Sequence, residues 1–312
     1  MNMTMKINNI LWAYDCSEES KFALKYVEYF SKHYKAKVYG IHVYSISLPI
    51  NPYYAPYLYD VAEKTEKKYQ EEFRELSESL EKKNIDFESE IIRGDVATEI
   101  VNFANEKETD LIIMGISSRG FIGSMLIESS SIEVLRKTHK PILITKSSDV
   151  DAVVKPKKIL VPVDIGEKLP DALKTAIFMS EKEGCHITVV YVMNIAFQIY
   201  EIPEKIISEI IDETTADLKK FVDEIVSQSG VSDNGSKDFS VLTKVLFGIN
   251  PAAKIVNYAK RNNFDLILVN SHGKGVFKRF LLGSTAEQIA RETSCPVMVV
   301  KPELIKRDES NS

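Results

Sequence analysis

The stretch FDLILVNSHGKGVFKRFLLGSTAEQIARETSCPVMVVK, Phe264 to Lys301, reads in succession as a strand, a loop, a helix and a second strand. Its first apolar run, Leu266 to Val269, is short, partly β-branched and bounded by Asp265 and Asn270, as suits a strand buried on both faces of a parallel sheet. Gly273, Gly275 and Gly283 follow, with Lys274, Lys278 and Arg279 interspersed. Glycines allow backbone conformations and close approaches that a Cβ obstructs, so backbone N–H groups are free to face a ligand. Ser284-Thr285-Ala286-Glu287 has the pattern of a capping box opening a helix, and a helix N-terminus attracts anions. The second apolar run, Val297 to Val300, follows Pro296.

Working outward, the same order of elements is found twice. Ile7 to Ala13 and Lys158 to Val163 are apolar strands that end in Asp15 and Asp164, an offset of 149 residues that also relates Ala23 to Ala172 and Val43 to Val192. Gly94 to Gly115 matches Gly248 to Asn270, and HKPILITK, ending at Lys146, matches SCPVMVVK. One domain is duplicated, with the boundary in Ser147 to Lys157. Each half alternates strands with helical patterns, such as Glu18 to Tyr34 and Val96 to Ala104, and right-handed crossovers then require parallel order. The expected fold is α/β, two tandem doubly wound five-stranded parallel sheets related by a pseudo-two-fold. The expected domains are 1–148 and 156–304, with a disordered polar tail over 305–312.

Composition narrows the function classes. A chain of 312 residues with 44% hydrophobic content can bury two cores, and a net charge of -5 argues against a broad nucleic-acid face. No secretory leader and no membrane-length apolar run is visible, so the expectation is a cytoplasmic protein. Cys16, Cys185 and Cys295 form no disulfide framework or zinc pattern, and the five histidines show no paired metal spacing. The helix following the Tyr- and Pro-rich NPYYAPYLYD (Asn51 to Asp60) is expected from Val61 to Lys83 with a solvated, mixed-charge face.

Gly273, nine residues, Gly283 and then Ser284 resemble the second half of the Gly-x2-Gly-x9-Gly-Ser/Thr signature of the nucleotide-binding universal stress proteins, and the resemblance extends over both halves, from about Asn9 to Lys301. It implies a fold like that of the adenine-nucleotide α-hydrolases, and ATP, with or without Mg2+, as the cofactor. Carried over by position, it implies that Pro162, Val163 and Asp164 lie against the adenosine, that the backbone of Val192 meets the adenine edge, and that Asn270, Gly273, Lys274, Gly283, Ser284 and Thr285 form the ribose and phosphate segment. Asn270 stands where the family pattern has its first glycine. Asp164 can accept from ribose hydroxyls or cap the following helix; the sequence leaves both open. The resemblance also implies pairing of the last strands, Pro141 to Thr145 and Pro296 to Val300, within one chain, and leaves open a homodimer of two chains.

The halves differ at the loop. Gly115 keeps the first family glycine, but Ser118 and Glu128 stand opposite Gly273 and Gly283, and only Arg119 replaces three basic residues. A carboxylate about 5 Å from a phosphate charge, at an effective dielectric of about 20, repels it by about 3 kcal/mol, which corresponds to about two decades of affinity. The first half is therefore expected to bind no triphosphate. Three readings remain: an adenine-nucleotide sensor or switch in the stress response, a scaffold with both sites decayed, or an ATP-consuming enzyme on a related fold. The enzyme reading lacks support, because no phosphate loop ending in Gly-Lys-Ser/Thr, pyrophosphatase loop or evident general base occurs, so no catalytic residue is assigned.

Overall fold

A computed structural model describes residues 3–45, 55–116, 130–146, 154–167, 170–194, 203–229, 240–271, 282–301 and 305–307. The chain divides into two units, Ile7–Ser147, and Ser148–Ser312 together with Met1–Lys6.

In chain order, β1 (Met3–Met5) precedes the first unit, which contains β2 (Asn9–Ala13), α1 (Glu18–Tyr34), β3 (Lys37–Tyr44), α2 (Ala55–Glu81), β4 (Phe87–Arg93), α3 (Val96–Glu106), β5 (Leu111–Gly115), α4 (Ser130–Lys137) and β6 (Ile142–Thr145). The central strands are short because they are buried on both faces: Ile10, Leu11, Trp12, Leu111, Ile112 and Ile113 have no exposed surface. Helix α1 starts where Ser17 accepts the backbone N–H of Ser20, and it stops at Lys35, which adopts a left-handed φ of 55°. Its buried stripe is Phe22, Ala23, Tyr26, Val27 and Phe30. Helix α2 begins earlier than the charge pattern suggested, inside the Tyr- and Pro-rich stretch. Its outer face carries the expected ion pairs, among them Lys64 with Asp60 and Arg74 with Glu78, while Phe73 and Leu80 are buried.

The second unit repeats the order with β7 (Lys158–Pro162), α5 (Asp171–Glu183), β8 (His186–Met193), α6 (Glu204–Gln228), β9 (Ser240–Phe247), α7 (Pro251–Arg261), β10 (Leu266–Asn270), α8 (Ser284–Glu292) and β11 (Val297–Val300). Strand β12 (Ile305–Arg307) pairs antiparallel with β1. The expectation of a disordered tail from 305 is corrected for these three residues: Met3–Met5 offers backbone partners that the local composition could not reveal.

Within the first unit the parallel strands lie in the order β4-β3-β2-β5-β6, and within the second in the order β9-β8-β7-β10-β11. The chain runs from the middle strand toward one edge and then crosses to the other side. The order therefore reverses between β2 and β5 in one unit and between β7 and β10 in the other. In doubly wound sheets the crevice beyond the carboxyl ends of those strands is where ligands bind. Among the described residues no helix is long and apolar enough to cross a membrane.

Candidate functional site

The switch point of the second unit is built from the ends of β7 and β10. Pro162 ends β7; Val163 follows, buried, with its N–H donated to the Val190 carbonyl at 2.9 Å. Asp164 is half-buried, and its backbone carbonyl accepts the N–H of Glu167 at 3.0 Å, closing a turn. Asp164 does not cap the following helix: α5 starts at Asp171 behind Pro170, without any side-chain cap bond. Val192 is a half-buried residue of β8, opposite Leu246 of β9.

Asn270 supplies the missing cap from a distant part of the chain. Its Oδ1 accepts the backbone N–H of Ala172 at 2.7 Å, and its Nδ2 donates to Glu167 Oε1 at 2.6 Å. One carboxamide thus satisfies an orphan donor in the first turn of α5 and holds a carboxylate at the strand ends. Burial, reinforced by Asp164 and Asp171 nearby, pushes the Glu167 carboxyl up to about 7, with the Asn270 donor acting against that rise. Burial likewise raises the Asp171 carboxyl above its ordinary range.

The equivalent place in the first unit explains why glycine stands there. A Cβ on Gly115 would lie 2.4 Å from the Glu19 carbonyl carbon and 2.7 Å from the Ser20 nitrogen, because α1 starts at Glu18 and packs its first turn directly on the strand end. By the 149-residue offset, Glu18 corresponds to Glu167, whereas α5 begins only at Asp171, about one turn later. The missing turn leaves the space that the Asn270 side chain fills.

At the other side of the crevice, Gly283 donates its N–H to the Ser271 carbonyl at 2.8 Å and forms the N-cap of α8. The capping-box reading is corrected here. Ser284 is the first helical residue rather than the cap, no side chain caps the helix, and Glu287 pairs with Arg291 at 3.0 Å instead of reaching back. Ser284 is exposed and Thr285 half-buried. Among the described residues no side-chain acceptor meets the first N–H groups of α8, and the first ladder bond runs from Glu287 N–H to the Gly283 carbonyl. Gly273 and Lys274, with the rest of the basic loop, lie outside the described residues, as do Ser118, Arg119 and Glu128 of the first unit.

In the first unit the corresponding crevice is filled by side chains. Tyr14 and Cys16 follow β2, and both the Tyr14 hydroxyl, at 2.8 Å, and the Cys16 thiol, at 2.6 Å, donate to Glu72 Oε2 on α2. Tyr69, one turn earlier on α2, hydrogen-bonds Cys16, and its ring stacks on His42 with centroids 3.4 Å apart. His42 Nδ1 donates to the Tyr14 carbonyl at 2.8 Å, which leaves Nε2 as a bare acceptor, buried and without a partner among the described residues. Burial lowers the His42 pKa, against the opposing pull of the Tyr14 carbonyl, Asp15 and Glu72. Burial and the Glu72 bond push the Cys16 thiol up to about 11. At the same offset the second unit has Val163 for Tyr14, Ile165 for Cys16 and Val161 for Trp12. Smaller residues stand where the first unit places interlocked rings, Trp12 and Tyr14 lying 4.7 Å apart.

Sequence reasoning passed over Glu167, Glu72 and Tyr69. Glu167 lies in DIGEKL, one turn past Asp164, and its alignment with Glu18 concealed that it has left the helix. Glu72 and Tyr69 lie in a highly charged helix whose pattern only said that it was solvated. Among the described residues no cluster of three His, Cys, Asp or Glu side chains is placed to hold a metal ion.

Comparison with known proteins agrees with this architecture. A model of the universal stress protein family matches residues 6–146 and 155–301. A universal stress protein of Mycolicibacterium smegmatis is 24% identical over 299 residues, covering 94% of this chain and 97% of its own. Another, from Methanocaldococcus jannaschii, is 31% identical over 149 residues, 46% of this chain and 82% of its own. The crystal structure of a universal stress protein from Archaeoglobus fulgidus superposes with a TM-score of 0.67 at 25% identity, over 95% of this chain and 97% of that one.

Proposed function

Since the chain belongs to the universal stress protein family, we propose that its second unit binds one adenine nucleotide, ATP or a close relative, and that the first unit binds none. In this reading the protein is a cytoplasmic sensor or switch of the stress response rather than a catalyst. The observation that carries it is the contrast between the two switch points. One has small apolar residues, Asp164 and a helix N-terminus without a side-chain cap; the other is plugged by Tyr14, Tyr69, His42, Cys16 and Glu72.

The residues of the second unit suit such a ligand. In this reading Asp164 accepts from ribose hydroxyls, and Pro162, Val163 and the Val192 backbone form an apolar shelf with polar edges for a purine. The N–H groups of Ser284, Thr285 and Ala286, in the first turn of α8, suit phosphate oxygens. Without an acidic cluster placed for a metal among the described residues, any Mg2+ would travel with the phosphates. Asn270 favours the second reading, an interaction scaffold, because its carboxamide is committed to Ala172 and Glu167 in a place where the family pattern has glycine.

Acid denaturation of the purified protein followed by chromatography of the released small molecules separates the two. Adenine nucleotide near one per chain supports the sensor. An empty protein that ATP does not fill supports the scaffold.

A further inference from the structure

We propose that Glu167 is a specificity residue of the crevice in the second unit, where it accepts a hydrogen bond from one hydroxyl of a ribose diol; the role rests on the nucleotide reading above. Its position follows from a replacement at the preceding residue. In the first unit Ser17 caps α1, and Glu18 lies exposed in the first turn of that helix, 3.4 Å from Lys21. By the 149-residue offset Gly166 stands for Ser17. Gly166 adopts a left-handed φ of 79°, in a turn that closes where the Glu167 N–H donates to the Asp164 carbonyl at 3.0 Å. Without a cap residue at that point α5 does not begin there, and Glu167 is left outside the helix.

The Glu167 carboxyl bridges the two strands that flank the switch point. The residue follows β7, yet its Oε1 accepts from Asn270 Nδ2, at the end of β10, at 2.6 Å. Asn270 is fixed in turn by the Ala172 N–H at 2.7 Å, so the group that holds the carboxyl cannot swing away without uncapping α5. One carboxyl oxygen is thereby committed. Among the described residues Oε2 has no partner, and the side chain is half-buried beyond the carboxyl ends of the strands, where a doubly wound sheet receives its ligand.

The surroundings select what this oxygen can take. Among the described residues the charged groups that bear on the carboxyl, Asp164 and Asp171, are both acidic, a setting that repels phosphate and suits neutral donors. Burial disfavours the charged form of Glu167, and a hydroxyl that donates to it offsets that cost. Asp164 and Glu167 stand three residues apart on one closed turn, so in the nucleotide reading Asp164 takes one hydroxyl of the ribose and Glu167 the other. A site built this way discriminates against a sugar that lacks the hydroxyl, because the acceptor is then left unpaired.

The test titrates wild type and Glu167→Gln with ATP, 2′-deoxy-ATP and 3′-deoxy-ATP by calorimetry. The glutamine oxygen keeps the bond from Asn270, so its amide turns a donor to the ligand where the carboxyl offered an acceptor. Wild type is expected to bind each deoxy analogue roughly tenfold or more weakly than ATP. In Glu167→Gln, ATP binding weakens and one of the two penalties disappears while the other, carried by Asp164, remains. Free of ligand, the variant should melt at or above wild type at pH 8, which shows that it folds. A wild type that binds ATP and either analogue equally, or a variant that keeps both penalties, overturns the role of Glu167 while the nucleotide reading stands. If wild type binds none of the three, the nucleotide reading fails and this role falls with it.

Discussion

Asn270 caps helix α5 from a different strand of the sheet, its Oδ1 lying 2.7 Å from the Ala172 nitrogen, in the position where Gly115 of the first unit has no room for any side chain. The exchange of glycine for asparagine is thus tied to the late start of α5 at Asp171, and the two features should be tested together.

Replacing Asn270 with Ala removes the cap and strands Glu167 without its donor. The loss expected in urea unfolding is about 1–2 kcal/mol, the sum of a cap and a half-buried hydrogen bond. Gly115→Ala should cost about 1–3 kcal/mol for a different reason, the clash of the new Cβ with the Glu19 backbone. An Asn270→Ala protein as stable as wild type contradicts the capping role.

Glu167 gives the second unit a pH dependence of definite sign. Its carboxyl is raised to about 7 by burial, above the value it has when unfolded, so the folded state holds the extra proton. Stability from this group is present below about pH 4.5 and declines as pH rises toward 7. Glu167→Gln keeps an acceptor for Asn270 and carries no charge. Wild type should lose about 1–2 kcal/mol between pH 5 and pH 8 that the variant does not, allowing for solvent screening of a half-buried group. Parallel curves for the two proteins count against this.

Cys16 is partly exposed yet should react slowly with thiol reagents at pH 7.5, because the thiol is pushed up to about 11 by burial and by its bond to Glu72. Glu72→Gln weakens that bond and should speed alkylation of Cys16, followed residue by residue with mass spectrometry. Cys185, buried and also raised to about 11, serves as the internal control and should not change. Equal rates at Cys16 in both proteins mean that Glu72 does not hold the thiol.

Much of the fold was legible because it is written in periodicity. Short apolar runs bounded by polar residues marked strands such as Ile7 to Ala13, Lys158 to Val163 and Leu266 to Val269, the 149-residue offset gave the duplication, and apolar spacing placed α1 from Glu18 to Tyr34. The caps of α5 and α8 were not legible for one physical reason: neither helix has a side-chain cap from its own flanking sequence. Pro170 cannot supply one and Asn270 acts across a sequence gap of 98 residues, while Gly283 takes the place that Ser284 was expected to hold. The plug in the first unit was hidden because Tyr69 and Glu72 come from α2 and meet β2 only once the helix has folded back over the sheet. Local patterns report a residue's own element; they carry no record of which distant group completes it.

The most direct test of the central claim is the stoichiometry of ATP binding, measured by calorimetry on wild type and on Gly283→Glu, which puts a carboxylate at the N-cap of α8, the residue that Glu128 aligns with in sequence. One ATP per chain in wild type, lost in the variant, is the predicted result. Two ATP per chain, or one that the variant retains, or none tighter than about millimolar, would contradict a nucleotide site confined to the second unit.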